Sequence, residues 1–109
     1  SLEEMFRLAL TCTPGSEAYN KIFMTAVQLF PDNPVANLNA ACIALMQRDV
    51  QSAAYYLEKA PEVPETASAK GVLHLLQENY EEAETLFKQA KAAGLSQADN
   101  NLKQILELK

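Results

Sequence analysis

The sequence predicts an all-α fold, a right-handed array of about three helical hairpins followed by a C-terminal capping helix. Three observations carry that expectation. A spaced set of small and aromatic residues recurs, as Phe23, Ala26 and Pro31, then Ala41, Asp49, Ala53, Leu57 and Ala60, then Gly71, Asn79, Ala83, Phe87 and Ala90. The equivalent residues Phe23, Leu57 and Phe87 lie 34 and then 30 positions apart, the period of a helical hairpin with one shortened link. Between these markers apolar residues recur at helical spacing, and Pro, Gly, Asp and Asn gather at the breaks. Small Ala41 and Gly71 on the first helix of a hairpin, with Ala53 and Ala83 on the second, let two backbones approach. Leu57 and Phe87 then fill the space between neighbouring hairpins.

The first hairpin is expected over residues 2–30. Its first helix runs from Leu2 to Thr11 with Met5, Phe6, Leu8 and Ala9 on the apolar side, and Thr13-Pro14-Gly15 breaks it. In strict register Arg7 falls where a small residue belongs. Either this helix is degenerate, or its loop is two residues shorter and Ala9 takes the small position. Ser16 is placed to cap the second helix, which carries Tyr19, Ile22, Phe23, Ala26, Val27 and Phe30 and stops at Pro31. The second hairpin, over 34–60, follows a compact Pro31-Asp32-Asn33-Pro34 turn. Asn33 can cap its first helix, and Pro34 suits the first turn, where a backbone N–H is not needed. That helix reaches about Gln47, with Leu38, Ala41, Leu45 and Met46 packing inward.

Arg48-Asp49 forms the hairpin turn, with the Asp49 carboxylate capping a helix from Val50 to Ala60, and Pro61 ends it. The link from Pro61 to Glu65 accounts for the shorter 30-residue spacing. Pro64 starts the third hairpin, over 64–93, whose first helix runs to about Gln77; Asn79 repeats the capping role of Asp49. The sixth helix carries Tyr80, Ala83, Leu86, Phe87 and Ala90 and ends at Gly94, suited to the left-handed position after a helix. Ser96 and Asp99 have capping-box spacing ahead of a last amphipathic helix over 97–107, with Leu102, Ile105, Leu106 and Leu108, expected to cover the open end of the array.

Three segments, AYNKIFMTAVQLFPDNP, NLNAACIALMQRDVQSAAYYLEKAP and AKGVLHLLQENYEEAETLFKQA, resemble the tetratricopeptide repeat. That family combines a small residue early in the first helix with Ala, an aromatic and Ala along the second, and Pro near the repeat end. The resemblance implies a protein-interaction module whose concave side, lined by the first helix of each hairpin, grips a peptide or helix of a partner. Carried over to this sequence, the groove residues are Val35, Leu38, Asn39, Cys42, Leu45 and Met46 in the second repeat and Glu65, Ser68, Ala69, Val72 and Leu76 in the third. Glu4, Met5 and Leu8 are their counterparts in the degenerate first. One subtype clamps a terminal carboxylate with Lys, Asn and Arg; here only Asn39 matches, and Glu4, Leu8, Glu65 and Ala69 occupy the other positions. The implied groove is apolar with acidic edges, suited to an amphipathic helix or an extended apolar or basic segment.

The stretches EMFRLAL, PGSEAYNKIFMTAVQLFPDNPVANLNAA, AAYYLEKA and NYEEAETLFKQA are also similar to the repeat-containing C-terminal tails of some OmpA-like outer-membrane proteins of unassigned function. That similarity implies a periplasmic or outer-membrane-associated setting. It also admits an alternative role, a structural spacer or self-association domain of a larger cell-envelope protein.

Composition narrows the function further. At 109 residues the chain is read as one domain, 1–109, large enough to bury about two-thirds of its unfolded surface. A 49% hydrophobic content argues against disorder, and no apolar run approaches the roughly 20 residues of a membrane span. The opening SLEEMFRLAL lacks a cationic start and a small-residue cleavage site, so no secretory signal is expected in it; a domain excised from a longer protein accounts for the start on Ser1 as readily as processing does. The net charge of −5, with basic residues scattered, argues against nucleic acid. Lys88, Lys91 and Lys103 come nearest to a cluster, but Glu78, Glu81, Glu82 and Glu84 lie just upstream.

No catalytic, cofactor-binding or metal-binding residues are predicted. His74 is the only histidine, too few for a triad or a multi-histidine metal site, and HExxH, CxxC, phosphate-loop and GxGxxG patterns are absent. Glu81, Glu82 and Glu84 stand at the start of a helix, where acids favour the macrodipole. Cys12 and Cys42 are expected as free thiols, and Cys42 as a small packing residue with no basic neighbour in sequence to activate it.

Overall fold

In a computed structural model the described residues are 1–13 and 15–95, and six helices run among them. These are α1 (Leu2–Ala9), α2 (Glu17–Leu29), α3 (Pro34–Met46), α4 (Val50–Glu58), α5 (Pro64–Leu76) and α6 (Tyr80–Ala92). No strand occurs among the described residues. Pro14 and the helix expected over 97–107 lie outside them.

Side-chain caps set most of the helix starts. The Ser16 hydroxyl oxygen accepts from the Tyr19 N–H (3.2 Å), Asn33 Oδ1 from Ala36 (2.9 Å) and Asp49 Oδ1 from Ser52 (3.2 Å). Pro34 and Pro64 occupy the first turns of α3 and α5. Asn79 is the residue before α6, as expected, but its side chain makes no capping hydrogen bond, so it shares the position of Asp49 and not its bond. Helices end slightly earlier than the apolar pattern suggests: α1 at Ala9 rather than Thr11, and α4 at Glu58 rather than Ala60. The pattern continues because residues beyond the last turn still pack inward, as Ala60 does.

Three helix ends share one construction. After α3, the N–H of Asp49 bonds the Ala44 carbonyl (2.8 Å) and that of Arg48 the Leu45 carbonyl (3.0 Å). After α5, Asn79 bonds His74 (2.8 Å) and Glu78 bonds Leu75 (3.1 Å). After α6, Leu95 bonds Ala90 and Gly94 bonds Lys91, both at 3.0 Å. This paired closure requires a left-handed residue, and Arg48 (φ 58°), Glu78 (φ 63°) and Gly94 (φ 97°) supply it. Only the last was legible as such in the sequence, because only it is glycine.

Helices pair as α1 with α2, α3 with α4 and α5 with α6, and adjacent pairs meet through α2–α3, α4–α5 and α3–α5. Links of a few residues force each pair to fold back on itself. Ala41, Ala44, Ala53 and Leu57 pack with Ala69 and Leu73, so one core joins α3, α4 and α5. Ala83, Phe87 and Ala90 pack against Ala67, Val72 and Leu75, joining α5 and α6. The first pair is anchored by Ala9, fully buried with Phe23 and Ile43, while Arg7 points to solvent; Ala9 is therefore the small residue of α1. Two expected inward residues face outward: Leu8 is 57% and Met46 59% exposed.

Asn37 holds the turn between α2 and α3. It is 1% exposed, and its Nδ2 donates to the carbonyls of Pro31 (2.9 Å) and Asn33 (2.8 Å), the latter also accepting from the Asn37 backbone N–H (3.1 Å), so one side chain ties the turn to the start of α3.

Candidate functional site

A cleft of about 580 Å³ opens between α3 and α5. From α3 come exposed Cys42 and Met46 and half-buried Leu45, which also packs against the core that holds Ala41 and Ala44. From α5 come Glu65, Ser68, Ala69, Val72 and Leu76, whose spacing of three and four residues places them along one face. Cys42 and Met46 precede Val72 and Leu76 by 30 residues each, so the two helices present equivalent positions to the same space. Arg48, in the turn after α3, and Leu95, just beyond α6, complete the lining.

The floor is made of small residues, Ser68 and Ala69, which are nearly buried, and larger apolar side chains rise around it. Arg48 and Glu65 are the charged groups among the described lining residues, one beyond the C-terminal end of α3 and the other in the first turn of α5. Eight residues marked from sequence meet here: Cys42, Leu45, Met46, Glu65, Ser68, Ala69, Val72 and Leu76. Val35, Leu38 and Asn39 do not line the cleft. Val35 is exposed at the start of α3, Leu38 packs against the core shared by α3, α4 and α5, and Asn39 is half-buried. Glu4, Met5 and Leu8 of α1 lie elsewhere as well.

Arg48 and Leu95 were not marked from the sequence. Arg48 becomes available because its left-handed backbone carries the chain around the end of α3. Leu95 follows Gly94, and an apolar residue directly after a left-handed glycine commonly folds back on the helix it terminates; that signal was present.

The chemistry of the cleft is that of a contact surface. Cys12 and Cys42 are free thiols. Cys42 is exposed at the cleft, yet the desolvation imposed by the cleft walls raises its thiol pKa, keeping it in the weakly nucleophilic neutral form. His74 belongs to a separate depression with Lys70, Glu81, Glu82 and Thr85, where its Nδ1 lies 3.2 Å from Glu82 Oε2 and ties α5 to α6. Cys42, His74 and the acids of α6 thus share no described cleft. Among the described residues no group of three or more His, Cys, Asp or Glu side chains is placed to hold a metal, and no helix is long and apolar enough to cross a membrane. No protein-family model, curated protein or solved structure matches the chain.

Proposed function

We propose that the chain is a non-enzymatic protein-interaction module of tetratricopeptide-like hairpins, and that the α3–α5 cleft grips a peptide or helix of a partner protein. The observation that carries this reading is the cleft itself: equivalent faces of two first helices converge on an open, largely apolar trough. Exposed Met46 and half-buried Val72 and Leu76 supply apolar area for burial, at roughly 25 cal/mol per Å² removed from water. Arg48 and Glu65 would fix the orientation of an incoming segment.

Met46 is the place to test it. It is 59% exposed and lines the cleft, so Met46→Glu adds charge without entering the core, whereas Leu38 and Val72 pack against buried clusters. Random 15-residue peptides displayed on phage and selected on the immobilised chain should yield binders that lose affinity on Met46→Glu. Binders indifferent to that substitution would place recognition elsewhere.

A second reading, self-association, is favoured by Leu8, Leu10, Leu29 and Phe30, large apolar side chains exposed on the first helix pair. Light scattering across a concentration series decides it: a constant monomer mass excludes self-association.

A further inference from the structure

We propose that the α3–α5 cleft takes an amphipathic helix of its partner in one direction only, antiparallel to α5. An acidic side chain in the first turn of that helix meets Arg48, and a basic one about three turns later meets Glu65. This rests on the reading of the cleft as the recognition surface and names the segment it selects.

The two charges stand at opposite ends. Three residues, 47–49, join α3 to α4 and five, 59–63, join α4 to α5. Connections this short turn each helix back along the one before, so α3 and α5 run the same way. Their core contacts keep that register, Ala41 and Ala44 packing with Ala69 and Leu73. Met46 and Leu76 therefore mark one end of the cleft, while Glu65, eleven residues before Leu76, lies about 16 Å away along the axis. Arg48, just past Met46, belongs to the Met46 end. Glu78, its equivalent after α5, lines a separate depression with Asn79 and Tyr80. Arg48 and Glu65 are both exposed, and among the described residues neither makes an ion pair or a side-chain hydrogen bond.

The walls fit a helix. Cys42 and Met46 on one and Val72 and Leu76 on the other are each four residues apart, the ridge spacing into which another helix packs, and small Ser68 and Ala69 let its backbone approach. Dipoles choose the same direction as the side chains. The Arg48 end presents the carbonyl termini of α3 and α5, which favour the N-terminus of an incoming helix, and an acid in the first turn with a base in the last suits that helix's own macrodipole.

Two acetylated, amidated 15-residue peptides test this, both of Ala and Gln with Leu at positions 5, 6, 9 and 12. One carries Glu at position 2 and Lys at position 13 on the same face; the other has the two exchanged. Both are neutral, so the chain's net charge of −5 favours neither. By isothermal titration calorimetry at low salt, the acid-first peptide should bind the full chain about fivefold more tightly. The preference should invert in Arg48→Glu/Glu65→Lys, which a difference in helicity between the peptides cannot produce. Glutamate at 48 takes a backbone that Glu78 already adopts, and circular dichroism checks the fold. If the exchange does not fold, Arg48→Gln and Glu65→Gln should each cut the preference to about twofold.

Equal affinities, a preference unchanged in the folded variants, no measurable binding of either peptide, or tighter binding of a peptide whose Glu and Lys are spaced for an extended chain, about five residues apart, would each overturn the proposal. If phage-selected peptides depend on Met46 while the two designed peptides bind alike, the recognition reading stands and this one fails. If the preference inverts while Met46→Glu changes nothing, the charges alone hold the segment and the apolar reading fails.

Discussion

Gly71 and Phe87 form a size-matched pair, and exchanging their sizes tests how the α5–α6 hairpin is packed. A Cβ at Gly71 would stand 2.6 Å from Phe87 Cε1, 2.8 Å from Cζ and 2.9 Å from Cδ1. Carbon atoms in contact prefer about 3.5–4.0 Å, so the ring must retreat by about 1 Å. It has little room, being 0% exposed and enclosed with Ala83 and Ala90. Overpacking of this kind costs about 1–3 kcal/mol. Replacing a mid-helix glycine by alanine gains about 1 kcal/mol in helix propensity. Overpacking wins, and Gly71→Ala should lose about 1 kcal/mol net, lowering the melting temperature by roughly 5 °C.

The preceding hairpin supplies the rescue. Thirty residues earlier the same two positions hold Ala41 and Leu57, a larger first partner and a smaller second, both buried. Phe87→Leu alone leaves a cavity costing about 1–2 kcal/mol. Added independently, the two losses come to about 2–3 kcal/mol, whereas the double variant recreates the Ala–Leu pair and should lose less than about 1 kcal/mol. Urea unfolding followed by circular dichroism measures all four proteins. A stability gain in Gly71→Ala, or simple additivity in the double variant, would refute the packing argument.

Three further outcomes follow from single features. Asn37→Asp replaces a donor to two carbonyls with a buried carboxylate, and should cost about 3 kcal/mol or more in urea unfolding, far beyond the roughly 1 kcal/mol expected for Asn33→Ala at the neighbouring cap. Glu78→Gly relieves a left-handed side-chain residue at φ 63° and should stabilise by about 0.5–1 kcal/mol; a loss would mean that the Glu78 side chain makes a contact worth more than the strain. The raised Cys42 thiol means that the fold favours the protonated form, so the unfolded chain releases its proton first and stability falls as pH rises past the unfolded thiol value near 8.5. In the Cys12→Ser background, Cys42→Ser should flatten that decline between about pH 8 and 10, and an unchanged slope would assign it to other groups.

Helix order was legible because its determinants are local. Ser16, Asn33 and Asp49 cap where their short polar side chains can reach the next N–H groups, and Pro34 and Pro64 mark first turns. Features that depend on neighbours were not. The cap at Asn79 failed as a side-chain bond although the repeat predicted it, and Arg48 and Glu78 take a left-handed backbone that their side chains do not announce. On α3, sequence spacing cannot divide one apolar face between core and cleft. That division is set by how α4 and α5 cross it, which packs half-buried Leu38 against the core shared by the three helices and leaves Met46 open. Leu95 entered the cleft through the geometry of the α6 terminus, beyond the helices from which the groove was read.

The central claim, that the α3–α5 cleft is a recognition surface for a protein segment, is tested most directly by the affinity of one selected peptide for the parent chain and for Met46→Glu, measured by fluorescence anisotropy with both proteins shown to be folded. Loss of at least about tenfold, equivalent to about 1.4 kcal/mol, is the predicted result. Equal affinities for the two proteins would contradict it.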